Sequence, residues 1–462
     1  MNDNNMKFQK ITEYIFAPFN TFVFLDVDEI RFKYDSFLKN RIIEEIGKIP
    51  ININGKQYKI QWEAKTTEKL HRAKGVFTPV SKEGSYLLGW LISDKTEDCF
   101  MPIEEEVAGI FPENSLKFTN VKFYIDTAGV GCCSVDVEIE KREGIKILQL
   151  EKISEKLNKL YKKYFEEICY KISLKYAQTI KKLNIPNFTF DFFPEPSTFS
   201  DDEKSEHILP WTHRIYHIND DHLFELENPG DPFKFLVTPA KKMDVNDFSI
   251  YDNRYIYFGW GHSIILTSNK KSKFSQTTYK VYDDYVRLIE IAQTHWRSLE
   301  ILINLVDYAV VWFNFHFKEM KLKRIKRAIY NIREFNRSIN RVLDTFSGIK
   351  ITFDTEKRNL LQELNDRWHT SEIFEKLQEK LNMIENFLQD LFQRQKEKVD
   401  DSINAIVLLF TIISLVDIFG TIFDILTLDL ALSAILQLIV LITGTIGLGL
   451  IIIFYLKMSE KR

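Results

Sequence analysis

Ile403–Phe423 reads INAIVLLFTIISLVDIFGTIF and Leu430–Tyr455 reads LALSAILQLIVLITGTIGLGLIIIFY. The first run has 21 residues with one Asp and no Lys or Arg, and the second has 26 with no charge. At about 1.5 Å per residue, each is long enough for a hydrocarbon core of roughly 30 Å. The pattern predicts a transmembrane hairpin turning at Asp424–Asp429. Arg394, Lys396 and Lys398 precede the first run, and Lys457, Lys461 and Arg462 follow the second. That bias predicts a multi-pass protein of the cytoplasmic (inner) membrane, with both termini on the cytoplasmic side.

Residues 1–402 then read as a cytosolic body. A net charge of −3 over 462 residues singles out no class of partner. Cys99, Cys132, Cys133 and Cys169 have no metal-site spacing and fit a reduced compartment. MNDNNMKFQKITEYIF has no basic region leading into an apolar run, so no secretory signal is read there.

The body divides into an α/β region (1–190), a strand-rich continuation (191–274), and long helices with a stalk (275–402). The hairpin (403–456) and a basic tail (457–462) complete the chain. Strand-like runs are Thr21–Val27, Tyr86–Ile92, Val121–Ile125 and Cys133–Ile139, and Tyr34–Ile46 has helical spacing. Asn54-Gly55 marks a hairpin within Ile49–Trp62. Leu148–Leu183 has the spacing of an amphipathic helix, ended by Asn184-Ile185-Pro186. Gly129-Val130-Gly131 lacks the third glycine and following helix of a dinucleotide fingerprint, so it reads as a plain turn. Further strands are expected at Arg214–Ile218, Phe233–Val237 and Tyr255–Leu266.

Tyr279–Phe317 reads as one apolar helix. Glu300, Asn304, Asp307, Asn314 and His316 would be expensive in lipid, so it is expected in a protein core. Lys318–Arg341 carries nine Lys or Arg against Glu319 and Glu334. It fits a solvated face paired with the acids of the next helix, an anion-binding surface for phosphates or nucleic acid, or contact with anionic lipid. Asp354–Ser402 has no Gly or Pro, and Phe374, Leu377, Leu381, Ile384, Leu388 and Leu391 step by threes and fours. One stalk helix running into the first apolar run is expected.

No catalytic constellation is present. His213 and His217 in HRIYH lack the Glu of a zinc-protease helix, and there is no phosphate loop, nucleophile elbow or cysteine metal set. The chain reads as a non-enzyme. Two segments combine aromatic, cationic and amide groups: Trp211, His213 and Arg214, then Asn253, Arg254, Trp260 and His262. Such groups can stack on an adenine ring, pair with phosphate and read base edges. In the first apolar run, Asn404, Thr411, Ser414, Asp417, Thr421 and Asp424 fall on one arc at 3.5 residues per turn, the pattern of a pore-lining face.

The order of parts resembles the CorA-type metal-ion transporters: α/β body, long helices, stalk, first span, short outer turn, second span and basic tail. Their Gly-Met-Asn signature would fall at Phe419–Phe423. Here the residues are FGTIF, where Gly420 matches the glycine and the Met and Asn are missing. The departure is similar to CorA-like proteins associated with type III CRISPR systems. That resemblance implies a homopentamer in the lipid bilayer that alters membrane permeability in antiviral defence. It also implies a small second-messenger ligand, S-adenosylmethionine joined to AMP, with no covalent cofactor and no direct DNA binding. The alternative it implies is a divalent-cation transporter of the Mg2+ type.

Overall fold

The structure is a computed structural model. It describes residues 7–25, 50–53, 56–59, 90–92, 115–125, 128–185, 187–188, 207–209, 211–225, 246–259, 261–270, 285–316, 322–349 and 355–425, with isolated positions elsewhere. They form two compact units, 1–314 with 334–381, and 315–333 with 382–462.

In the first unit the strands are β1 (Lys7–Leu25), β2 (Pro50–Ile53), β3 (Lys56–Lys59), β4 (Trp90–Ile92), β5 (Ser115–Ile125) and β6 (Ala128–Lys146). After helix α1 (Ile147–Lys182) come β7 (Asn187–Phe188), β8 (His213–Asn219), β9 (Arg254–Phe258) and β10 (His262–Thr267). The main sheet has the order β4-β5-β6-β1-β8-β10-β9, with β7 also on β1; β8 and β10 run parallel and the other pairs antiparallel. β2 and β3 form the separate hairpin expected around Asn54-Gly55. The Tyr34–Ile46 and Phe233–Val237 expectations lie almost wholly outside the described residues.

β1 is much longer than the Thr21–Val27 run that marks it. Its 19 residues pair with β6 on one side and, through Thr12–Phe16, with β8 on the other. Pro18, which lacks an N–H to donate, lies just beyond the β8 pairing. Phe22 has a positive φ of 57° and its N–H donates to Asn20 Oδ1 at 2.8 Å, where the β1–β6 register shifts. The glycines read as a turn are already in β6. Gly131 faces Phe19 across the ladder, and a Cβ there would lie 2.4 Å from the Phe19 ring. Gly131→Ala should therefore cost about 1–3 kcal/mol by overpacking, read as a lowered urea midpoint at unchanged slope.

Helices cover both faces of the sheet. α1 has no Gly or Pro, and Lys181 and Lys182 favour its negative C-terminal end. Leu157, Phe165, Ile172 and Tyr176 of α1 pack with Ile15, Val135, Tyr216 and Ile264. On the other face lie α2 (Arg287–His316) and α4 (Thr355–Arg367), whose Ile289, Ala292, Leu360 and Leu364 pack with Phe16, Ile215, Phe258 and Ile265. α2 is buried through Leu299, Leu302 and Val306 as expected, while Asp307 pairs with Lys380.

α3 (Leu322–Ile349) and α5 (Thr370–Ile425) supply the helices of the second unit. Lys326 sits 5.4 Å from the centre of the Phe392 ring, and Arg333 pairs with Glu385 at 3.1 Å. Seven residues back on α3 match seven forward on α5, so the two helices run antiparallel. Ile325 and Ile332, also seven apart, are buried. The expected stalk is broken near its start, where Trp368 and His369 (φ 49°) separate α4 from α5, and from Thr370 it runs unbroken through the heptad residues into Ile403–Phe423.

Among the described residues no helix is long and apolar enough to cross a membrane. This corrects the expected fold of an α/β body followed by two transmembrane helices, together with the multi-pass inner-membrane location and the ion channel. Ile403–Phe423 is the end of the 56-residue α5, whose first half is rich in charge, rather than a helix of its own. Leu430–Tyr455 is described only at scattered helical positions and otherwise lies outside the described residues.

Candidate ligand site

The site grows from the start of β8. Side chains alternate across a sheet, so His213 and Ile215 face α2 and α4 while Arg214 and Tyr216 face α1. The parallel neighbour β10 starts at the same level, with His262 opposite Arg214. The contiguous Trp211–Arg214 segment is thereby split between the two faces.

On the α2 side, Trp211 meets Trp296 of α2 edge-on, with ring centres 5.6 Å apart at 70°. His213 meets Trp368 in the same manner, at 5.6 Å and 74°. Trp296 Nε1 donates to the Trp368 carbonyl at 2.9 Å, tying α2 to the end of α4. His213 Nε2 lies 3.0 Å from Ser263 Oγ. Burial, with His262 and Arg214 adding to it, depresses the His213 pKa to about 3, so its ring is neutral near pH 7.

This aromatic cluster leaves polar atoms over. Trp211 Nε1, His213 Nδ1, Trp368 Nε1 and Thr370 Oγ1 are buried with no hydrogen-bond partner among the described residues. Each such atom costs about 1–3 kcal/mol when left unsatisfied. Three of them are on the rings of Trp211, His213 and Trp368 themselves, and the fourth is on Thr370, two residues beyond Trp368; together they offer in-plane donors and acceptors beside π-faces, the groups that a flat, polar-edged ring requires.

On the α1 side, Arg214 Nη1 donates to Ser154 Oγ at 2.5 Å, and Ser154 Oγ donates to Glu13 Oε1 at 2.6 Å. Arg214 also bonds His262 Nε2. A guanidinium can only donate, so Nε2 accepts and the ring is neutral with its proton on Nδ1. Burial and the Arg214 charge lower the His262 pKa to about 3. Burial raises the Glu13 carboxyl, while Arg214, Ser154 and Tyr216 pull it back. The network holds the Arg214 charge beside Glu13, whose Oε2 is buried with no hydrogen-bond partner among the described residues.

Asn253 and Arg254 stand elsewhere. Arg254 pairs with Thr267, five residues along β10 from His262 and roughly 17 Å away at strand rise. Its guanidinium is engaged by Glu356 through both carboxylate oxygens, and Asn253 Nδ2 donates to the Lys270 carbonyl at 3.2 Å. Trp260 lies outside the described residues. Asn404, Thr411, Ser414, Asp417 and Thr421 are exposed on α5, and Thr411 and Thr421 donate to the carbonyls of Val407 and Asp417. Asp424 is the penultimate residue of that helix.

The residues that complete the cluster were not singled out in the sequence. Trp296, Trp368 and Thr370 come from segments about 80 to 160 residues beyond Trp211. Their one local signal is a large aromatic placed on otherwise polar helical stretches. Among the described residues no group of three or more His, Cys, Asp or Glu could hold a metal ion. No family model, curated protein or solved structure matches the chain, so the functional reading stands on this geometry.

Proposed function

We propose that the α/β unit is a sensor for a small adenine-bearing ligand, whose base enters the cluster of Trp211, His213, Trp296 and Trp368. The observation that carries this reading is the set of four buried polar atoms without partners among the described residues, on those rings and on Thr370. Adenine presents two π-faces, ring-nitrogen acceptors and an exocyclic donor, which complement two indole N–H groups, an imidazole and a hydroxyl. The earlier resemblance makes S-adenosylmethionine joined to AMP the first ligand to try, with second-messenger sensing in antiviral defence as the role.

Calorimetry with adenosine, AMP and the S-adenosylmethionine–AMP conjugate tests it. Binding should quench tryptophan fluorescence. Trp211 is half-buried, so Trp211→Ala should fold and weaken binding at least about tenfold, in line with about 1–3 kcal/mol for a stacked base. Thr370→Val should weaken it less. Wild-type affinity in Trp211→Ala, or no heat and no quench with any adenine ligand, would refute the reading.

A further inference from the structure

The outer face of α3 has a composition that the ligand cluster does not use. Ile325 and Ile332 point inward and are buried. Tyr330 is on the outside, 64% exposed. On a helix its neighbours are three and four positions away, and these are Lys326, Arg327 and Arg333, all exposed. Arg324 is exposed one turn below Arg327. Two of these cations are partly engaged: Arg333 pairs with Glu385, and Lys326 rests over Phe392. One acid, Glu334, shares the neighbourhood, where it takes Arg337 at 2.6 Å. From Leu322 to Arg333 the sequence has five Lys or Arg, Lys323, Arg324, Lys326, Arg327 and Arg333, with no Asp or Glu between them.

A large exposed ring among cations is the pairing that single-stranded nucleic acid requires: a π-face for a base and positive charge for the flanking phosphates. We infer that Arg324, Arg327 and Tyr330, which lie within about 120° of one another around the helix, form a contact surface for single-stranded nucleic acid. Tyr330 stacks on a base, and the arginines take the adjoining phosphates. The surface is independent of the adenine-ligand reading, because it lies on another element and shares no residue with the cluster.

Fluorescence anisotropy of the full chain with a labelled single-stranded oligonucleotide of about 12 nucleotides tests this. Wild type should bind at low salt, and its affinity should fall steeply as NaCl is added. Arg324→Glu/Arg327→Glu should lose at least about tenfold in affinity and show a shallower salt dependence, as expected when phosphate contacts are removed. Tyr330→Ala should lose about tenfold with the salt slope unchanged, and Tyr330→Phe should retain wild-type binding. All these positions are exposed, and circular dichroism checks that the variants fold. No binding at low salt overturns the inference. So does an arginine-dependent affinity that Tyr330→Ala leaves intact, which would mark a surface for anions in general, such as anionic lipid vesicles. A labelled duplex binding as tightly as the single strand overturns it as well, because paired bases offer Tyr330 no free face.

Discussion

Acidification from pH 7 to about pH 5 should strip several kcal/mol from the stability of the α/β unit. His213 and His217 hold pKa values of about 3 and about 4 against an ordinary 6.5, both because burial penalises the charged ring. A histidine depressed in the folded state favours folding while neutral. Its contribution is complete above the unfolded value and is lost as pH falls toward the folded one. At about pH 5 each costs about 2 kcal/mol, and His262, with a pKa of about 3, adds in the same direction. Glu13 works the other way. Its carboxyl is raised by burial, so it favours the fold below its unfolded value and loses that advantage as pH rises. Asp247 is raised by burial likewise and pulled back by Ser249 and the Ile256 N–H, so three histidines stand against two partly compensated carboxyls and the net slope favours neutral pH. Urea unfolding at both pH values reads the difference, and His217→Gln should reduce it by about 2 kcal/mol. Equal midpoints in wild type would contradict the buried, neutral histidines.

Removing the Glu356 carboxylate should be the most damaging single change in the first unit. Glu356 is 1% exposed and accepts four hydrogen bonds. Arg254 Nε donates to Oε1 at 2.9 Å and Nη2 to Oε2 at 2.5 Å, with Tyr285 Oη at 2.7 Å and the Ile250 N–H at 3.2 Å. The Arg254 guanidinium also lies 3.9 Å from the centre of the Tyr251 ring. Glu356→Ala leaves a buried cation and two further donors without an acceptor, a loss of about 3–5 kcal/mol. Arg254→Met/Glu356→Leu removes both charges and should regain most of it, because the pair must itself overcome the cost of leaving water. A Glu356→Ala loss under about 1 kcal/mol, or a double variant worse than the single, would count against the pair as drawn.

Local features were legible and long-range ones were not. The 36-residue α1 and the Asn54-Gly55 hairpin follow from periodicity and turn chemistry, and both are where the sequence puts them. β1 was read short because Glu13 and Pro18 interrupt its apolar pattern. Glu13 is accommodated by Ser154 and Arg214, which are 141 and 201 residues further along, and no local pattern reports that. The aromatic cluster was half visible for the same reason. Trp211 and His213 stand in one segment, but neighbouring residues on a strand face opposite ways, so Arg214 belongs to another environment. Arg254 looked free because its partner Glu356 is 102 residues away. The continuity of the stalk with Ile403–Phe423 was legible from the lack of Gly and Pro, and α5 has it, but the apolar run was taken as a span and no described helix is long and apolar enough to cross a membrane.

The place of β1 in the sheet has a consequence for how the chain is made. It is made before both of its long neighbours, β6 and β8, which start at Ala128 and His213. Nineteen residues rich in Phe and Ile must therefore wait, unpaired, through the synthesis of well over a hundred more. Contacts this distant in sequence slow folding and leave strand edges open to other chains. The β1 segment is thus one for which a chaperone would matter, and slowing translation ahead of β8 should lower the yield of folded protein.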